Sequence, residues 1–417
     1  MKRLTIILVL ISSLSFAQNN ILSLDSCLQM AKRNYPLMKQ NGLISENEKN
    51  NLNNDNKLWL PKLSFAANYT YQTEVISIPA FGATFPHDSY VSALALEQNV
   101  FDGGQIHSQK RLDRMNSANE LQKNAVELYK LADRITQLYS SIMLSRENLK
   151  TLNLYKEDVG NKKNILSTSY KNGMVLQSNV DALEAEELKA EQSIEETKEN
   201  IKAYYQSLAA YINQPIDDST KLLSVPVLNV SKGDEINRPE LKAFEAQKAV
   251  LDARHKLNNS TAFPRLTIGG QYAFGRPGPN FINQDVRFFG QASVNLRWNI
   301  ASLYNLNNEK QNININKKMI DIQQEVFEFN LKNTMLTQNA QINSLTTMIE
   351  KDKRIVEKRH NIRLTAAKQL ENGSITSTDY LLELNAEMQA ILNQKLHEIK
   401  LMNAITNYNT SKGINNF

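Results

Sequence analysis

Apolar residues recur every seven positions over two long stretches of the chain. Ala118, Ala125, Ala132 and Tyr139 hold one register, and Leu121, Leu128, Ile135, Ile142 and Leu149 hold the register three places on. A second stripe runs through Leu131, Leu138, Leu152 and Val159. Downstream, Met335, Ile342, Ile349, Val356 and Leu370 keep the same period, as do Ile315, Ile322, Phe329 and Leu336. Heptads sustained over this length predict coiled-coil helices, here over Gln105–Tyr170 and Tyr304–Leu370. A helix of ~65 residues is ~98 Å long at 1.5 Å per residue. Two stripes on one helix require neighbours on two sides, which suits a wall of helices better than an isolated pair. Shorter periodic stretches predict helices over Ser26–Leu58, Gln177–Asn213, Pro239–Ser260 and Thr376–Asn409.

Elsewhere the period drops to two. Val286, Phe288, Gly290, Ala292, Val294, Leu296, Trp298 and Ile300 alternate with Arg287, Gln291, Ser293, Asn295, Arg297 and Asn299. Leu63, Phe65, Ala67, Tyr69 and Tyr71 alternate with Ser64, Asn68, Thr70 and Gln72, and Leu266, Ile268, Tyr272 and Phe274 with Thr267 and Gln271. Strands are expected over Lys62–Ile78, Tyr90–Phe101, Arg265–Gly275 and Val286–Ile300. Dyads of this length, with aromatics at their ends, fit a transmembrane barrel with a wet lumen. A soluble sheet with one buried face has the same period. Strand number separates the two in a membrane: four strands cannot close around a lumen, and open sheet edges cannot face lipid. Three copies would supply twelve strands. The loops Pro79–Ser89 and Arg276–Asp285, rich in proline, glycine and asparagine, would then lie outside the cell.

The chain is written twice. Asn34-Tyr35-Pro36-Leu37, Leu60-Pro61-Lys62-Leu63 and Lys171-Asn172-Gly173 have counterparts in Asn237-Arg238-Pro239-Glu240, Phe263-Pro264-Arg265-Leu266 and Glu371-Asn372-Gly373, each about 200 residues later. The implied fold class is mixed α and β, mainly α, and internally duplicated. Residues 18–213 form the first repeat, 214–237 a connector with Pro215, Pro226 and Gly233, 238–410 the second repeat, and 411–417 a short tail. Asn172-Gly173 and Asn372-Gly373 fall where each long helix must reverse, since both residue types tolerate the left-handed conformation that ends helices.

Composition removes several function classes. The net charge is +5 with the two signs interleaved along the helices, and no basic cluster meets an aromatic platform, so nucleic acid is not a partner. A single cysteine, Cys27, permits no internal disulfide, and the five histidines never share an i, i+4 spacing, so no metal and no cofactor is expected. No Walker loop, G-x-S-x-G or H-E-x-x-H is present, which argues against an enzyme. Residues 1–17 read as a secretory signal: Lys2 and Arg3, an apolar run from Leu4 to Phe16, then Ser15-Phe16-Ala17 before the cut. Beyond it no run of 18 apolar residues is long enough for a transmembrane helix. Any passage through a membrane must be made by strands.

The order of these elements resembles the TolC family of outer-membrane efflux proteins over essentially the whole mature chain. The most specific match is Phe101-Asp102-Gly103-Gly104, directly after the second strand, which is similar to the family's turn from barrel to long helix. Its counterpart, Ile300-Ala301-Ser302-Leu303, has lost the glycines. Pro61 and Pro264 match the family's proline at the entry from helix to strand. The resemblance implies a homotrimer in the outer membrane of a Gram-negative bacterium, in contact with its lipid and with a large periplasmic portion. It implies passive export of small molecules or secreted proteins, including type I secretion. A periplasmic membrane-fusion adaptor and an inner-membrane transporter, of the resistance–nodulation–division or ATP-binding-cassette type, would be the partners. The family's adaptor-docking tips correspond to Tyr170, Asn172, Gly173 and Met174, and to Asn372, Gly373 and Ser374. Asp379 matches a place where the family sets a pore-facing gate carboxylate, while Leu382 and Asn179 replace further acids. Asp379 also suits a plain helix N-terminus, where a carboxylate meets the dipole. The rival reading is a secreted or periplasmic coiled-coil scaffold or adhesin without a channel.

Overall fold

A computed structural model describes residues 21–75, 77–78, 83–223, 235–280 and 282–414. Residues 1–17, read as a signal segment, residues 224–234 of the connector and residues 415–417 of the tail lie outside the described residues. In chain order the elements are β1 (Ile21–Leu22), α1 (Leu24–Asn34), α2 (Leu37–Lys57), β2 (Lys62–Tyr71), β3 (Ser77–Ile78), β4 (Ala83–Thr84) and β5 (Asp88–Phe101). There follow α3 (Gln105–Lys171), α4 (Gln177–Ile212), β6 (Lys221–Leu222), α5 (Pro239–Ser260), β7 (Arg265–Arg276) and β8 (Arg287–Arg297). A 3₁₀ turn at Ile300–Tyr304 leads into α6 (Leu306–Glu371), and α7 (Ser377–Lys412) ends the fold. The long α3 and α6 run for 67 and 66 residues, as the heptads require.

Three elements differ from expectation. The helix anticipated over Ser26–Leu58 is two helices, broken at Tyr35-Pro36. Tyr35 adopts an extended backbone (ψ 131°), because the ring of a following proline disfavours the helical region. The first strand ends at Tyr71 rather than Ile78, and the loop beyond it carries its own β3–β4 pairing. In the fourth strand, regular pairing stops at Arg297, and Ile300 opens the 3₁₀ turn.

The chain forms two compact units, each built from separate stretches of the sequence. One comprises residues 40–123 and 240–325, the other residues 1–39, 124–239 and 326–417. The first holds a four-stranded antiparallel sheet in the order β2-β5-β7-β8. Among the described residues the second is helical, apart from a short parallel pairing of β1 with β6. These residues form three apolar cores. One gathers Cys27, Ile135, Tyr139, Ile142, Tyr205, Leu208 and Ile212 beneath the β1–β6 pair. Tyr139 Oη lies within bonding distance of the Leu22 and Leu223 carbonyls (2.9 and 2.6 Å), which satisfies the only polar atom of a fully buried ring. Another joins Tyr155, Val159, Leu166, Val180, Leu183, Ala366, Ala367, Leu370, Tyr380 and Leu384, drawn from α3, α4, α6 and α7. This four-helix core packs the two hairpins together. The third is a smaller group around Ile342, Leu345, Ala404 and Ile405.

Candidate functional site

Strand register sorts the side chains of the sheet onto two faces. Leu63 pairs with Leu96, Phe65 with Leu94, Tyr69 with Tyr90. Leu94 then pairs with Tyr272 and Gln98 with Ile268, and Ile268, Leu266 and Phe274 pair with Val294, Leu296 and Phe288. Because side chains alternate across a strand, these residues share one face. That face is apolar and bare: Phe65 and Val294 are each 71% exposed, and Leu63, Tyr69, Tyr272, Phe288 and Leu296 are also exposed. The opposite face carries Ser64, Asn68, Thr70, Glu97, Thr267, Gln271, Gln291, Ser293 and Asn295. Among the described residues, the outer strands β2 and β8 each have a partner on one side only. Among the described residues, no helix is long and apolar enough to cross a membrane.

The turns between sheet and helices hold the predicted motifs. Pairing between β5 and β7 slips between Asn99 and Phe101, leaving Val100 as a bulge that bends the strand before its exit. Asp102 then closes the helix N-terminus. Its Oδ1 accepts from the Gly104 amide (2.9 Å) and its Oδ2 from the Ile106 amide (2.7 Å). Gly103 (φ 69°) and Gly104 (φ 82°) occupy the left-handed region. Gly103 also lies where a Cβ would fall 2.6 Å from Phe263 Cβ and 2.9 Å from the Ser260 carbonyl. Phe101 is half-exposed on the sheet.

The prolines stand just before β2 and β7, Pro61 before Lys62 and Pro264 before Arg265. Side chains in or just beyond the neighbouring strand hold the carbonyls just ahead of them. Gln98 Nε2 donates to the Trp59 carbonyl (2.6 Å) and Asn99 Nδ2 to that of Leu58 (3.2 Å). Trp298 Nε1 donates to the Ala262 carbonyl (2.9 Å).

The two helical tips are built alike. The Gly173 amide donates to the Tyr170 carbonyl and the Met174 amide to that of Ser169, both at 2.9 Å. In the other tip Gly373 donates to Leu370 (3.0 Å) and Ser374 to Gln369 (2.8 Å). Gly173 and Gly373 take φ of 71° and 70°. Asn172 and Asn372 instead donate their amides to Thr168 and Lys368, so only the glycine is left-handed in each tip. Tyr170, Met174 and Leu176 are exposed.

Asp379 sits in the first turn of α7, in a capping box with Thr376. Its Oδ2 accepts from the Thr376 hydroxyl (2.7 Å) and amide (3.0 Å), while its own amide donates to Thr376 Oγ1 (3.2 Å). These bonds hold its carboxyl below the usual carboxylate range. Asp379 and the exposed Leu382 line one open cleft with Ile362, Gln369 and Glu383.

A charge cluster near the tips is absent from the expected site residues. Glu387 of α7 is buried and receives Arg363 Nε of α6 at 2.8 Å and His360 Nδ1 at 2.6 Å. Arg363 also faces Asp158 of α3 at 3.5 Å. The signal was present, since His360 and Arg363 are one turn apart, but pairing them with Glu387 requires the alignment of two helices. Among the described residues, no group of three His, Cys, Asp or Glu side chains could hold a metal ion.

By sequence the chain matches no family profile and no curated relative. By structure it matches outer-membrane channels along nearly its full length. The Campylobacter jejuni CmeC outer membrane channel covers 95% of this chain and 86% of its own, at 14% identity and a TM-score of 0.68. The Vibrio cholerae outer membrane protein VceC covers 94% and 96%, at 13% identity and 0.68. The open state of the Neisseria gonorrhoeae MtrE outer membrane channel covers 94% and 89%, at 12% identity and 0.64. At these identities the likeness establishes the fold.

Proposed function

We propose that this chain, whose fold is that of the TolC-type outer-membrane channels, is the protomer of a trimeric conduit for export from a Gram-negative cell. The observation that carries the reading is the sheet. It has a bare apolar face, a polar opposite face and two open edges, and such a sheet cannot sit in lipid alone. Three copies pairing β2 of one with β8 of the next give twelve strands without an edge, lipid on the apolar side and water within. Helix α6 supports the same assembly. Ile315, Ile322, Phe329 and Leu336, spaced by heptads, are exposed together with Met319 and Val326. A neighbouring copy is the natural cover for that stripe.

In this reading the duplicated order of elements is an ancestral repeat, and each copy supplies two hairpins to a periplasmic helical tunnel. The tips, with Tyr170, Asn172, Gly173, Met174, Asn372, Gly373 and Ser374, dock a periplasmic adaptor, and an inner-membrane pump provides the energy. Asp379 places one carboxylate per copy at the mouth. Small molecules or secreted polypeptides are the cargo. The test is membrane fractionation, followed by extraction in mild detergent and measurement of native mass. An outer-membrane species of three chains is expected. A soluble periplasmic monomer or dimer refutes the conduit and leaves the coiled-coil scaffold.

A further inference from the structure

The strand register sorts the charges of the sheet as well as its apolar residues. On the apolar face the strands carry only Asp88 and Arg276, at the loop end. These two neutralise each other, with Arg276 Nη2 at 2.8 and 2.7 Å from the two Asp88 oxygens. The polar face carries Lys62, Arg265, Arg287, Arg297 and the single acid Glu97. Lys62 stands directly opposite Glu97 across β2 and β5. Arg265 stands directly opposite Arg297 across β7 and β8.

Like charges facing each other across a ladder destabilise a sheet. Among the described residues, no carboxylate forms an ion pair with Arg265, Arg287 or Arg297. Arg265 donates to the side-chain oxygen of Gln105, a neutral amide. Arg287 Nε, at the loop end of the same face, is buried without a hydrogen-bond partner. Guanidinium groups therefore stand at both ends of the polar face without compensation. Folding does not require that arrangement, since either arginine of the facing pair would be better placed opposite a glutamate.

We infer that this face selects for anions: the lumen of the barrel favours passage of carboxylates, phosphates and other anionic solutes over cations. The inference rests on the trimeric conduit proposed above, which turns the polar face inward and repeats its charges three times. Four cations and one carboxylate per copy then line a water-filled channel with low-dielectric walls, where rings of arginine and lysine set an anion preference. Asp379 opposes this preference with one carboxylate per copy.

The test is the reversal potential of the full-length protein, purified from membranes and inserted into a planar bilayer under a potassium chloride gradient. The reversal potential does not depend on current amplitude, so a nearly closed mouth still reports. Chloride is expected to permeate over potassium by about threefold or more, and more strongly at low salt. R265Q/R297Q is expected to lower that ratio by about threefold at retained conductance, and R287Q alone to lower it by less. D379N should raise it. A cation-preferring wild type, or a ratio unchanged in R265Q/R297Q and R287Q channels that conduct, overturns the inference. An inserted trimer that passes no current at all overturns the conduit itself.

Discussion

Replacing Gly103 by alanine adds one methyl group at a position with two separate reasons to reject it. The backbone there has φ 69°, and an L side chain in the left-handed region costs about 1–2 kcal/mol. The new Cβ would also lie 2.6 Å from Phe263 Cβ and 2.9 Å from the Ser260 carbonyl oxygen, well inside normal contact. Neither neighbour is a flexible tip: one is the root of a side chain and the other is backbone. Relief must come from a backbone shift, and overpacking of this kind costs about 1–3 kcal/mol. The sum is about 2–5 kcal/mol for Gly103→Ala. Gly104 provides the internal control. Its φ is 82°, but a Cβ there meets nothing within 4 Å, so Gly104→Ala carries the strain alone, about 1–2 kcal/mol. The difference of about 1–3 kcal/mol corresponds to roughly 5- to 150-fold in the folding equilibrium. Chemical unfolding of the two variants in detergent, followed by tryptophan fluorescence, should rank wild type, Gly104→Ala and Gly103→Ala in descending midpoint. Equal midpoints for the two variants would refute the argument that close approach to the α5–β7 turn, rather than conformational freedom, fixes the first glycine.

Asp102→Ala should cost about 1–2 kcal/mol in the same assay, and Asp102→Asn distinctly less, because the amide oxygen still accepts from one of the two amides, of Gly104 or Ile106. Burial pushes the Cys27 thiol up to about 12, and only the thiolate reacts. Native protein at pH 8 should therefore resist a disulfide reagent that labels it at once in denaturant. The same shift removes stability as pH climbs above the unfolded thiol value of 9.0, and Cys27→Ser should blunt that alkaline loss. Asp379 has the opposite sign. Its carboxyl is held low in the fold, so the capping box contributes above the normal aspartate range and is lost as pH falls through it. Limited proteolysis of the α6–α7 tip should rise on acidification in wild type and be pH-insensitive in Asp379→Asn. Glu387→Ala leaves Arg363 only the longer contact to Asp158 and should cost about 2 kcal/mol, read as a lowered midpoint; Glu387→Gln, able to accept one bond, should lose less.

Long elements were legible because their periods are redundant. The heptads of α3 and α6 place each helix within two residues of its observed ends, and the dyad through Phe288, Val294 and Leu296 gives the face of β8 correctly. The glycines at 103, 104, 173 and 373 were legible as turns, since left-handed backbone leaves few other residue types. Single local events escaped. Pro36 marked the repeat in the sequence, but its effect on Tyr35, which splits the first helix, is a backbone clash rather than a pattern. The β1–β6 pairing joins Leu22 to Leu222, and no local period encodes a contact so distant in sequence. The Arg363–Glu387–His360 cluster and the Arg265–Arg297 pair escaped for a related reason. Each residue reads as an ordinary solvated charge until helix alignment or strand register sets its neighbour.

The two exits from sheet to helix show which parts of a motif the turn requires. After β5 the chain turns on two left-handed glycines, with Asp102 accepting from the Gly104 and Ile106 amides. In the second, Ile300-Ala301-Ser302-Leu303 has neither glycine nor carboxylate, yet it also delivers a helix of more than 60 residues. It does so by tightening into a 3₁₀ turn, with Ser302 Oγ donating to the Asn299 carbonyl at 2.6 Å. Trp298 ties the end of β8 to the Ala262 carbonyl. The physical demand common to both is a sharp redirection whose loose backbone groups find partners before the helix begins. Glycine is needed where the α5–β7 turn leaves no room for a Cβ, as at Gly103; the second exit makes no such approach through a glycine and turns with other residues. A sequence search for the first motif alone would therefore recognise one exit and miss its equivalent, although both perform the same turn.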